Sequence, residues 1–526
     1  MVDVCFILEV HQPFRLKRNF KIGAPLDLNT NAKDLYEAYF DHKINKDIFM
    51  RVSEKCYLPA TMIILEQIER FKTEKKPFKV SFSFSGTFLE QCEKWNPSLL
   101  DLFKQVVETG HVELLGQTYY HSLASLNCCD ESEFIDQIEM HEQAIKDLFN
   151  YTPETFENTE CIYNNEVAMA VKSLGFKTVI TEGVERILWW RSPNYVYRAR
   201  GSSVNLLLRN YRLSDDISFR FTSPSWDQWP LTADKYAAWL AHTPGQVIVI
   251  FIDYETFGEH CWVESGIFEF LKWLPIEVLK WDNLCWSTPR EVVKKYEPCD
   301  EIDVPPENTI SWANLERDLS AWLGNPMQIT SFKLLNEVRL LVKEVNEPGL
   351  LMIWRYLQTS DHFHYMCTKG GGSGVVHSLF NPYGDPLKAF KTYMKILMDF
   401  GARCLIELNK PVSKYRRLLR HVPRSNGFRF YRGIDLPTNI LVTSLKDFYE
   451  AIKRVDIDSI IFHLNRGDFI RWISEVIGDN ILAAKIANLP REWKNYREKV
   501  REALAFILEG RLRELESLIR NEEKIR

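Results

Sequence analysis

The most constraining feature of this chain is a regular alternation of short apolar runs with amphipathic helical patterns. Seven runs before residue 260 have the composition of β-strands, at residues 2–9, 78–84, 111–115, 155–159, 177–181, 204–209 and 246–252. Helical periodicity separates most of them and is clearest at residues 35–70, 97–108, 131–149, 165–174 and 232–241. Parallel strands need such crossover connections, because the chain must return to the same end of the sheet. Seven or eight of these units in about 250 residues predict a closed or nearly closed parallel barrel.

The rest of the chain has a different pattern, as expected for 526 residues, which exceed what one hydrophobic core usually supports. Two prolines, Pro305 and Pro306, mark a joint, and residues 312–359 and 386–399 then show helical spacing. The segment KGGGSG at 369–374 predicts a flexible loop. Beyond residue 403, strand-like runs at 439–444 and 459–463 precede charged helices. We therefore predict a barrel at 1–300, a helical region at 301–402 that completes its site, and an α/β or mostly helical accessory domain at 403–526.

The charge balance argues against nucleic acid as a partner. The formal net charge is −5 and the pI is near 6.2, whereas binding to a phosphate backbone requires a clustered excess of Lys and Arg. No apolar stretch approaches the length of a membrane span. The first ten residues lack the basic segment of a signal peptide and contain Asp3 and Glu9. We therefore expect a cytoplasmic protein that has neither a nucleic-acid nor a membrane partner.

The cysteines do not indicate a metal or redox motif. There are 11 of them without regular spacing, no CxxC is present, and Cys128 and Cys129 form the only close pair. Zinc ribbons and thioredoxin-like motifs are therefore excluded. We expect most of these thiols to be reduced and buried.

The segment QVIVIFIDYETFGEH at 246–260 predicts a buried strand that delivers acids to a surface. Its run of Val, Ile and Phe has no polar alternation, as is typical of a parallel strand covered on both faces. Asp253 ends this run, and an acid just past the carboxyl end of a barrel strand favours a catalytic role. Glu259 has a simpler explanation, because acidic residues also stabilise the first turn of a helix.

Polar clusters follow four of the predicted strands. They are His11-Gln12-Pro13 after the first, the segment 116–122 after the third, Asn158-Thr159-Glu160 at the fourth and the segment 253–260 after the seventh. A single histidine is more often structural than catalytic. Four clusters at the same end of a barrel favour a common site.

Two carboxylates in these clusters suit cleavage of a glycosidic bond. Retaining cleavage requires a carboxylate nucleophile and a carboxylic acid about 5–5.5 Å apart. Glu160 and Asp253 leave different strands, so a substrate can lie between them. Apolar neighbours of Asp253, such as Phe251 and Tyr254, would raise its pKa by desolvation.

Five motifs in order resemble the conserved regions of glycoside hydrolase family 57. They are HQP at 11–13, GQTYYHS at 116–122, NTE at 158–160, DYETFGEH at 253–260 and RDLSAWLGN at 317–325. The resemblance covers roughly residues 1–400. The DYETFGEH and NTE motifs are most similar to those of the archaeal α-amylase-type members. It implies a (β/α)7 barrel, a distorted form of the TIM barrel, followed by a helical region. It also implies Glu160 as nucleophile and Asp253 as general acid/base.

The resemblance further implies an α-1,4-glucan substrate, such as starch, glycogen or maltooligosaccharides, and no metal or cofactor. The candidate substrate-binding residues are His11, Gln12, Tyr119, His121, Trp226, Glu255, His260, Asp318 and Trp322. Trp226 is a candidate sugar platform because Ser, Pro and Asp surround it, as in an exposed loop. For Trp189 or Trp190 alone, packing in the core is the simpler expectation.

Three alternatives remain open from the sequence. A 4-α-glucanotransferase or branching enzyme of the same family would use the same two carboxylates. A metal-dependent deacetylase or mannosidase-like hydrolase would use His11, His121, His260 and Asp253 as ligands, although no HxxxH-type spacing occurs. A carbohydrate-binding protein without turnover is the third, and the presence of both carboxylates argues against it.

Overall fold

The computed structural model describes residues 1–22, 31–127, 131–369, 381–489 and 497–524. Within these ranges ten strands form one sheet. They are β1 (Val2–Val10), β2 (Val80–Phe84), β3 (Val112–Leu114), β4 (Thr155–Glu157), β5 (Thr178–Glu182), β6 (Val196–Ala199), β7 (Asn205–Arg209), β8 (Val247–Asp253), β9 (Leu284–Trp286) and β10 (Glu301–Ile302). Each of the seven runs predicted before residue 260 forms a strand, and no predicted end differs from the observed one by more than two residues.

Seven of these strands close into a parallel barrel. From β1 the pairing runs through β2 to β3 in one direction, and through β8, β7 and β5 to β4 in the other. The two ends meet where Gly116, just after β3, forms a parallel bridge with Phe156 of β4. Backbone hydrogen bonds of 2.9 and 2.8 Å close this junction. The predicted (β/α)7 barrel is confirmed.

The other three strands flank the ring. β6 pairs antiparallel with β7, and β10 pairs parallel with β6. β9 pairs parallel with the first residues of β1. These three strands therefore extend the sheet beyond the closed ring.

The inward face of the barrel changes from apolar to acidic along the strands. Every second residue of a strand points to the same face, and Ile7 of β1 and Phe251 of β8 belong to the apolar interior. Two residues further along, the same rows reach Glu9 and Asp253, which are paired side by side in the β1–β8 register. The carboxyl ends of the strands therefore hold a layer of acids above an apolar core.

Helices surround the barrel and begin where the sequence supplies a cap. In α5, the Asn96 side chain accepts a hydrogen bond from the Leu99 N–H, and Pro97 occupies the first turn, where no backbone donor is needed. The helix predicted at 35–70 is three helices, the last two joined by the π-turn Ser53–Tyr57. The helices of this part are α1 (Ala32–Tyr39), α2 (His42–Val52), α3 (Leu58–Phe71), α4 (Gly86–Trp95), α5 (Pro97–Glu108), α6 (Ser132–Phe149), α7 (Asn165–Ser173), α8 (Glu185–Leu188), α9 (Tyr211–Asp215), α10 (Ala233–His242), α11 (Ile267–Leu279) and α12 (Pro289–Lys295).

The helical region packs across the carboxyl end of the barrel. It contains α13 (Ser320–Leu323), α14 (Pro326–Val345), α15 (Pro348–Tyr356), α16 (Ser360–His364) and the helix Pro386–Leu408. Its hydrophobic core includes Trp354 and Leu335, and also Phe14 and Leu35 from the segment that follows β1. This core therefore joins residues on both sides of position 300, and the limits 1–300, 301–402 and 403–526 stay a proposal.

The C-terminal part is mostly helical and has its own core. A hairpin of β11 (Phe428–Gly433) and β12 (Leu436–Val442) packs against the helices. Arg511 and Asp479 form a buried ion pair at 2.7 Å. The helices are Ser413–Leu418, Leu445–Arg454, Ile457–Arg466, Asp468–Arg471, Asn480–Ala487 and Arg497–Lys524.

One predicted strand of this part is wrong. Residues 459–463 lie in the helix Ile457–Arg466, which the Asp456 side chain caps. Ile460, His463 and Leu464 form its buried face at helical spacing. A short apolar run is compatible with either structure, and packing of this face against the C-terminal core selects the helix. The run predicted at 439–444 overlaps β12.

The nine cysteines in the described ranges are free thiols, six of them buried. Cys128 and Cys129, and all but the first residue of the KGGGSG segment, lie outside the described residues. In the described part of the chain, no helix combines the length and the apolarity that a membrane span requires.

Candidate active site

A cavity of about 480 Å³ opens at the carboxyl ends of the barrel strands. Residues that follow β1, β4 and β8 form its floor, and residues 312–317 and 361–369 of the helical region form much of its wall. Eight of the predicted site residues line it: Glu160, Asp253, His11, Gln12, His121, Glu255, His260 and Trp322. The volume is in the range of sites for small ligands.

Glu160 lies in a tight 3₁₀ turn, Thr159–Cys161, directly after β4. Its φ of 62° and ψ of 24° place it in the left-handed region, which is strained for a residue with a Cβ. The backbone N–H of Trp312 donates to the backbone carbonyl of Glu160 at 3.2 Å. The Asn158 side chain donates to the Ile162 carbonyl at 2.8 Å. The turn is thus held in the conformation that directs the Glu160 carboxyl into the cavity.

Hydrogen-bond donors converge on the Glu160 carboxyl. The Trp312 indole N–H donates to Oε2 at 2.7 Å, and the Ser360 hydroxyl donates to Oε1 at 2.9 Å. His121 Nε2 lies 3.6 Å from Oε1. Burial by itself would raise the pKa of Glu160, but His121 and the indole donor outweigh it, so this pKa lies below its ordinary value. Glu160 is therefore ionised at neutral pH.

Asp253 lies at the end of β8 in a contrasting environment. Among the described residues no donor forms a hydrogen bond to its carboxyl. Burial and the negative charge of Glu160 raise its pKa to about 7. Near neutral pH, Asp253 can therefore both hold and release a proton.

Two stacked histidines lie beside Glu160. The rings of His11 and His121 are 4.0 Å apart with an interplanar angle of 22°. His11 hydrogen bonds to Ser85 Oγ at 2.7 Å and to Asp361 Oδ2 at 3.0 Å. Burial and the charge of His121 lower the pKa of His11 to about 4. Burial would also lower the pKa of His121, but Glu160 outweighs it and raises that pKa, so His121 is the more readily protonated of the two rings.

Glu255 is linked to the cavity wall through a chain of side chains. Gln12 donates to the Tyr57 hydroxyl at 3.0 Å, and that hydroxyl donates to Glu255. Burial and the nearby Asp253 raise the pKa of Glu255 to about 8. At neutral pH this acid is therefore largely protonated and adds no second charge next to Asp253. It accepts the hydrogen bond that holds the Tyr57 hydroxyl.

Two further acids, Glu9 and Glu157, lie buried near the carboxyl ends of β1 and β4. Burial raises both pKa values, that of Glu157 to about 8. Neither Glu9 oxygen accepts a hydrogen bond from the described residues, and His121 Nδ1 lies 3.3 Å from one of them. Two neutral acids thus underlie the floor, and they limit the repulsion felt by the Glu160 charge.

The loop that carries Trp312 is fixed by buried charges. Arg317 donates to the Trp312 carbonyl, to Glu182 Oε2 at 3.3 Å and to Asp215 Oδ2 at 2.8 Å. Arg209 bonds to the same two acids at 2.9 and 2.7 Å. Such a network is rigid when all its partners are satisfied. It anchors the loop against the barrel, with the indole of Trp312 aimed at Glu160.

Three of the predicted substrate-binding residues are not among the described residues that line the cavity. The Tyr119 hydroxyl donates to Glu90 at 2.8 Å. Trp226 is partly buried against the barrel core. Asp318 accepts the Ser320 N–H at 2.9 Å, at the start of α13. Their roles toward a substrate stay predictions.

Trp189 and Trp190 differ from the expectation that each packs in the core. Their side chains are 80% and 87% exposed. They directly follow α8, a helix of only four residues whose last residue, Leu188, is buried. The expectation of packing was wrong for both residues.

The sequence did not single out several residues of the site. Trp312, Ser360 and Asp361 come from the helical region, and no local pattern marks them as partners of barrel residues. Glu9 carries a signal that was available: it is in phase with Cys5 and Ile7 in the inward row of β1. Its burial could therefore have been predicted from the period of the strand.

The geometry separates the charged from the neutral groups of the site. Glu160 holds a negative charge, while Asp253 titrates near pH 7. Across the described ranges, no group of three or more His, Cys, Asp or Glu side chains is arranged to hold a metal ion. A fixed carboxylate facing a protonatable acid can perform nucleophilic substitution with proton transfer at an acetal carbon.

Known proteins are similar to this chain in sequence and in fold. The model of the family described as "Glycosyl hydrolase family 57" matches residues 5–305. A protein of Methanocaldococcus jannaschii described as "Putative alpha-amylase" is 48% identical over 405 residues, covering 76% of this chain and 84% of that protein. The structure of a GH57 branching enzyme from Thermococcus kodakaraensis is similar, with a TM-score of 0.52, 13% identity and coverage of 76% of this chain and 89% of that one.

A 4-alpha-glucanotransferase from Thermococcus litoralis is also similar, with a TM-score of 0.44 and 19% identity. The match covers 69% of this chain and spans about half, 51%, of that longer chain.

Proposed function

Because the chain belongs to glycosyl hydrolase family 57, we propose that it cleaves α-1,4-glucosidic bonds of starch, glycogen or maltooligosaccharides with retention of configuration. Glu160 is the nucleophile and Asp253 the general acid/base in this proposal. No metal or cofactor takes part. The cytoplasmic location expected from the first residues stays a prediction.

The observation that carries the proposal is the opposite effect of the site on its two carboxyl groups. Glu160 accepts hydrogen bonds from Trp312 and Ser360 and has a lowered pKa, as a nucleophile requires. Asp253 has a pKa raised to about 7, as a proton donor requires. Retaining glycosidases need this division of roles.

In the first step, protonated Asp253 donates its proton to the glycosidic oxygen while Glu160 attacks the anomeric carbon. The bond to the leaving sugar breaks, and an ester forms between Glu160 and the retained sugar. In the second step, ionised Asp253 accepts a proton from water, and the water oxygen attacks the anomeric carbon and releases Glu160.

The ester itself prepares Asp253 for its second role. The negative charge of Glu160 contributes to the raised pKa of Asp253. That charge disappears when Glu160 becomes an ester, so the pKa of Asp253 falls and the group becomes a base. His121, which faces the same carboxyl at 3.6 Å, and Trp312 are positioned to stabilise Glu160 again as it leaves.

The test compares E160Q and D253N with the parent protein on soluble starch. We expect each variant to lose on the order of a thousandfold or more of the activity. E259Q is a matched control, because Glu259 also lines the cavity but pairs with Arg51. Near-parental activity of either E160Q or D253N would show that the assignment is wrong.

Hydrolysis and transfer share the glycosyl ester and differ in whether water or a sugar hydroxyl attacks it. Product analysis on maltoheptaose separates them. Shorter oligosaccharides alone indicate an α-amylase-like hydrolase. Longer products indicate a 4-α-glucanotransferase, and new branch points on amylose indicate a branching enzyme.

A further inference from the structure

Two adjacent tryptophans, Trp189 and Trp190, project from the surface with side chains 80% and 87% exposed. Indole side chains are among the largest apolar groups, and most of their surface is usually buried. Two in succession at such exposure are unusual for a surface without a ligand. The pair therefore needs a physical explanation.

The pair lies near the face of the barrel that holds the cavity. It follows α8, which begins three residues after β5 ends at its carboxyl end. Arg186 of α8 donates to the carbonyls of Glu316 and Arg317 at 2.8 and 3.1 Å. Both of these residues line the cavity. The helix that precedes the tryptophans is thus hydrogen-bonded to the cavity wall.

An apolar residue also lies on the rim next to this helix. Leu315 lines the cavity and is 88% exposed. It lies next to Glu316, the residue that accepts the hydrogen bond from Arg186. Leu315 and the two tryptophans are therefore exposed apolar side chains on two segments that are hydrogen-bonded to each other through Arg186.

The backbone that carries the pair is fixed. Trp189 ends α8 with φ at 59°, a strained value for a residue with a Cβ, and its N–H donates to the Glu185 carbonyl at 2.7 Å. Arg191 donates to the Leu188 carbonyl at 3.1 Å and to the Glu301 carbonyl at 2.7 Å. Because the chain is anchored on both sides of the pair, the indoles are presented on a defined backbone.

We propose that Trp189 and Trp190 form a binding platform for an α-glucan chain outside the catalytic cavity. The faces of pyranose rings carry C–H groups that pack against indole rings, and the ring hydroxyls remain free to bond with polar neighbours. Exposed charged side chains flank the pair on α8, including Glu185 and Arg186. This inference rests on the proposed function, because it assumes that the substrate is a glucan polymer.

The charged surroundings favour a sugar chain over a protein partner. The centre of a stable protein interface is depleted of charged residues and buries about 800 Å² on each side. Here Glu185 and Arg212 form an ion pair at 2.6 Å with exposed side chains. Two indoles within a charged surface suit a narrow, hydroxyl-rich ligand.

The test measures retardation of the whole protein in native gels that contain glycogen or amylopectin. We expect W189A/W190A to bind the polymer about tenfold more weakly than the parent, the effect of losing one or two stacking contacts. The single variants should fall between the two. W273A is the matched control, because Trp273 lies on α11, is 46% exposed and is not among the described residues that line the cavity.

Rates on amylopectin and on maltotriose complete the test. The double variant should lose more activity on the polymer than on the trisaccharide, because only the polymer reaches from the cavity to the platform. Equal retardation of parent and double variant would overturn the platform while leaving the proposed function intact. A parent without activity on any α-glucan would instead overturn the proposed function.

Sedimentation of the parent and of the double variant tests whether a second copy of the chain covers the two tryptophans instead of a glucan. If the parent forms a dimer that the double substitution dissociates, the tryptophans form an interface between two copies of the chain and the platform is wrong. An unchanged sedimentation coefficient together with weakened polymer binding supports it.

Discussion

Glu160 and Asp253 carry the same carboxyl group, but their surroundings shift its pKa in opposite directions. On the β4 side, an indole N–H and a hydroxyl donate to Glu160, and its pKa is lowered. On the β8 side, no donor from the described residues reaches Asp253, and its pKa is raised to about 7. Both side chains are largely buried, so burial alone does not decide their ionisation. The difference shows that the supply of donors assigns the roles of two otherwise similar acids.

The barrel and the helical region create this difference together: His121, which follows β3, lowers the pKa of Glu160 most, and Trp312 adds to its effect. Trp312 and Ser360 belong to the helical region, 152 and 200 residues after Glu160. The barrel presents the two carboxyl groups and His121, and the helical region supplies two further hydrogen-bond donors to Glu160 alone. The contrast between the two carboxyl groups can be tested in four ways.

The first prediction uses a substrate whose leaving group needs no proton, such as a nitrophenyl α-maltooligoside. General acid catalysis contributes about 10²–10⁴-fold, so D253N should recover much of its lost rate for bond cleavage on this substrate. E160Q should not recover, because the nucleophile is still absent. Burst kinetics on both substrates measures the two cleavage rates. Equal losses for D253N on starch and on the activated substrate would contradict the role of Asp253 as the acid.

The second prediction concerns W312F, which removes the indole donor and keeps an aromatic ring. A hydrogen bond to a charged group contributes roughly 1.5–3 kcal/mol, so kcat/KM should fall about 10- to 100-fold. The pKa of Glu160 should rise, which moves the acid limb of the pH profile upward. W273F serves as the control for substitution of a tryptophan outside the cavity. An unchanged acid limb in W312F would show that this indole does not hold the charge on Glu160.

The third prediction is the pH dependence of the parent. The acid must be protonated for cleavage, so kcat/KM should fall about tenfold per unit as pH rises above about 7, the pKa of Asp253. The nucleophile must be ionised, so activity should fall at low pH only below the ordinary value of 4.5, since the pKa of Glu160 is lowered. A plateau of kcat/KM between about pH 5 and 7 is expected. A basic limb that persists in D253N would assign that limb to another group.

The fourth prediction concerns E9Q. Burial raises the pKa of Glu9, so this acid is protonated at neutral pH and glutamine imitates it. We expect the activity of E9Q at pH 7 to stay within about threefold of the parent, the smallest effect of the series. Thermal unfolding checks that the variant is folded. A much larger loss of activity in the folded variant would show that Glu9 is an ionised partner of His121.

Local patterns predicted the strands of the barrel well. A buried parallel strand is a continuous apolar run, and the seven runs occur where seven strands of the ring occur. Predictions failed where two structures share one pattern. Residues 459–463 satisfy both strand and helix, and packing in the C-terminal core selected the helix.

The candidate site was predictable at the strand exits and less so elsewhere. Glu160, Asp253 and the histidines stand next to strand ends in the sequence, and they line the cavity. Trp226 also stands in a polar loop, but its ring packs on the barrel core, because exposure depends on what the fold places over a loop. The same reason explains the exposed Trp189 and Trp190.

The alternation of strands and helices follows from the sequence alone, and with it a ring that brings Glu160 and Asp253 to one end of the barrel. These features depend on the period of a strand and on continuous apolar runs, which are local properties. Which of the two acids is ionised depends on the three-dimensional fold, because His121 and donors such as Trp312 reach Glu160 from distant parts of the chain. A hydrogen bond acts over about 3 Å in space, and distance along the chain does not predict it.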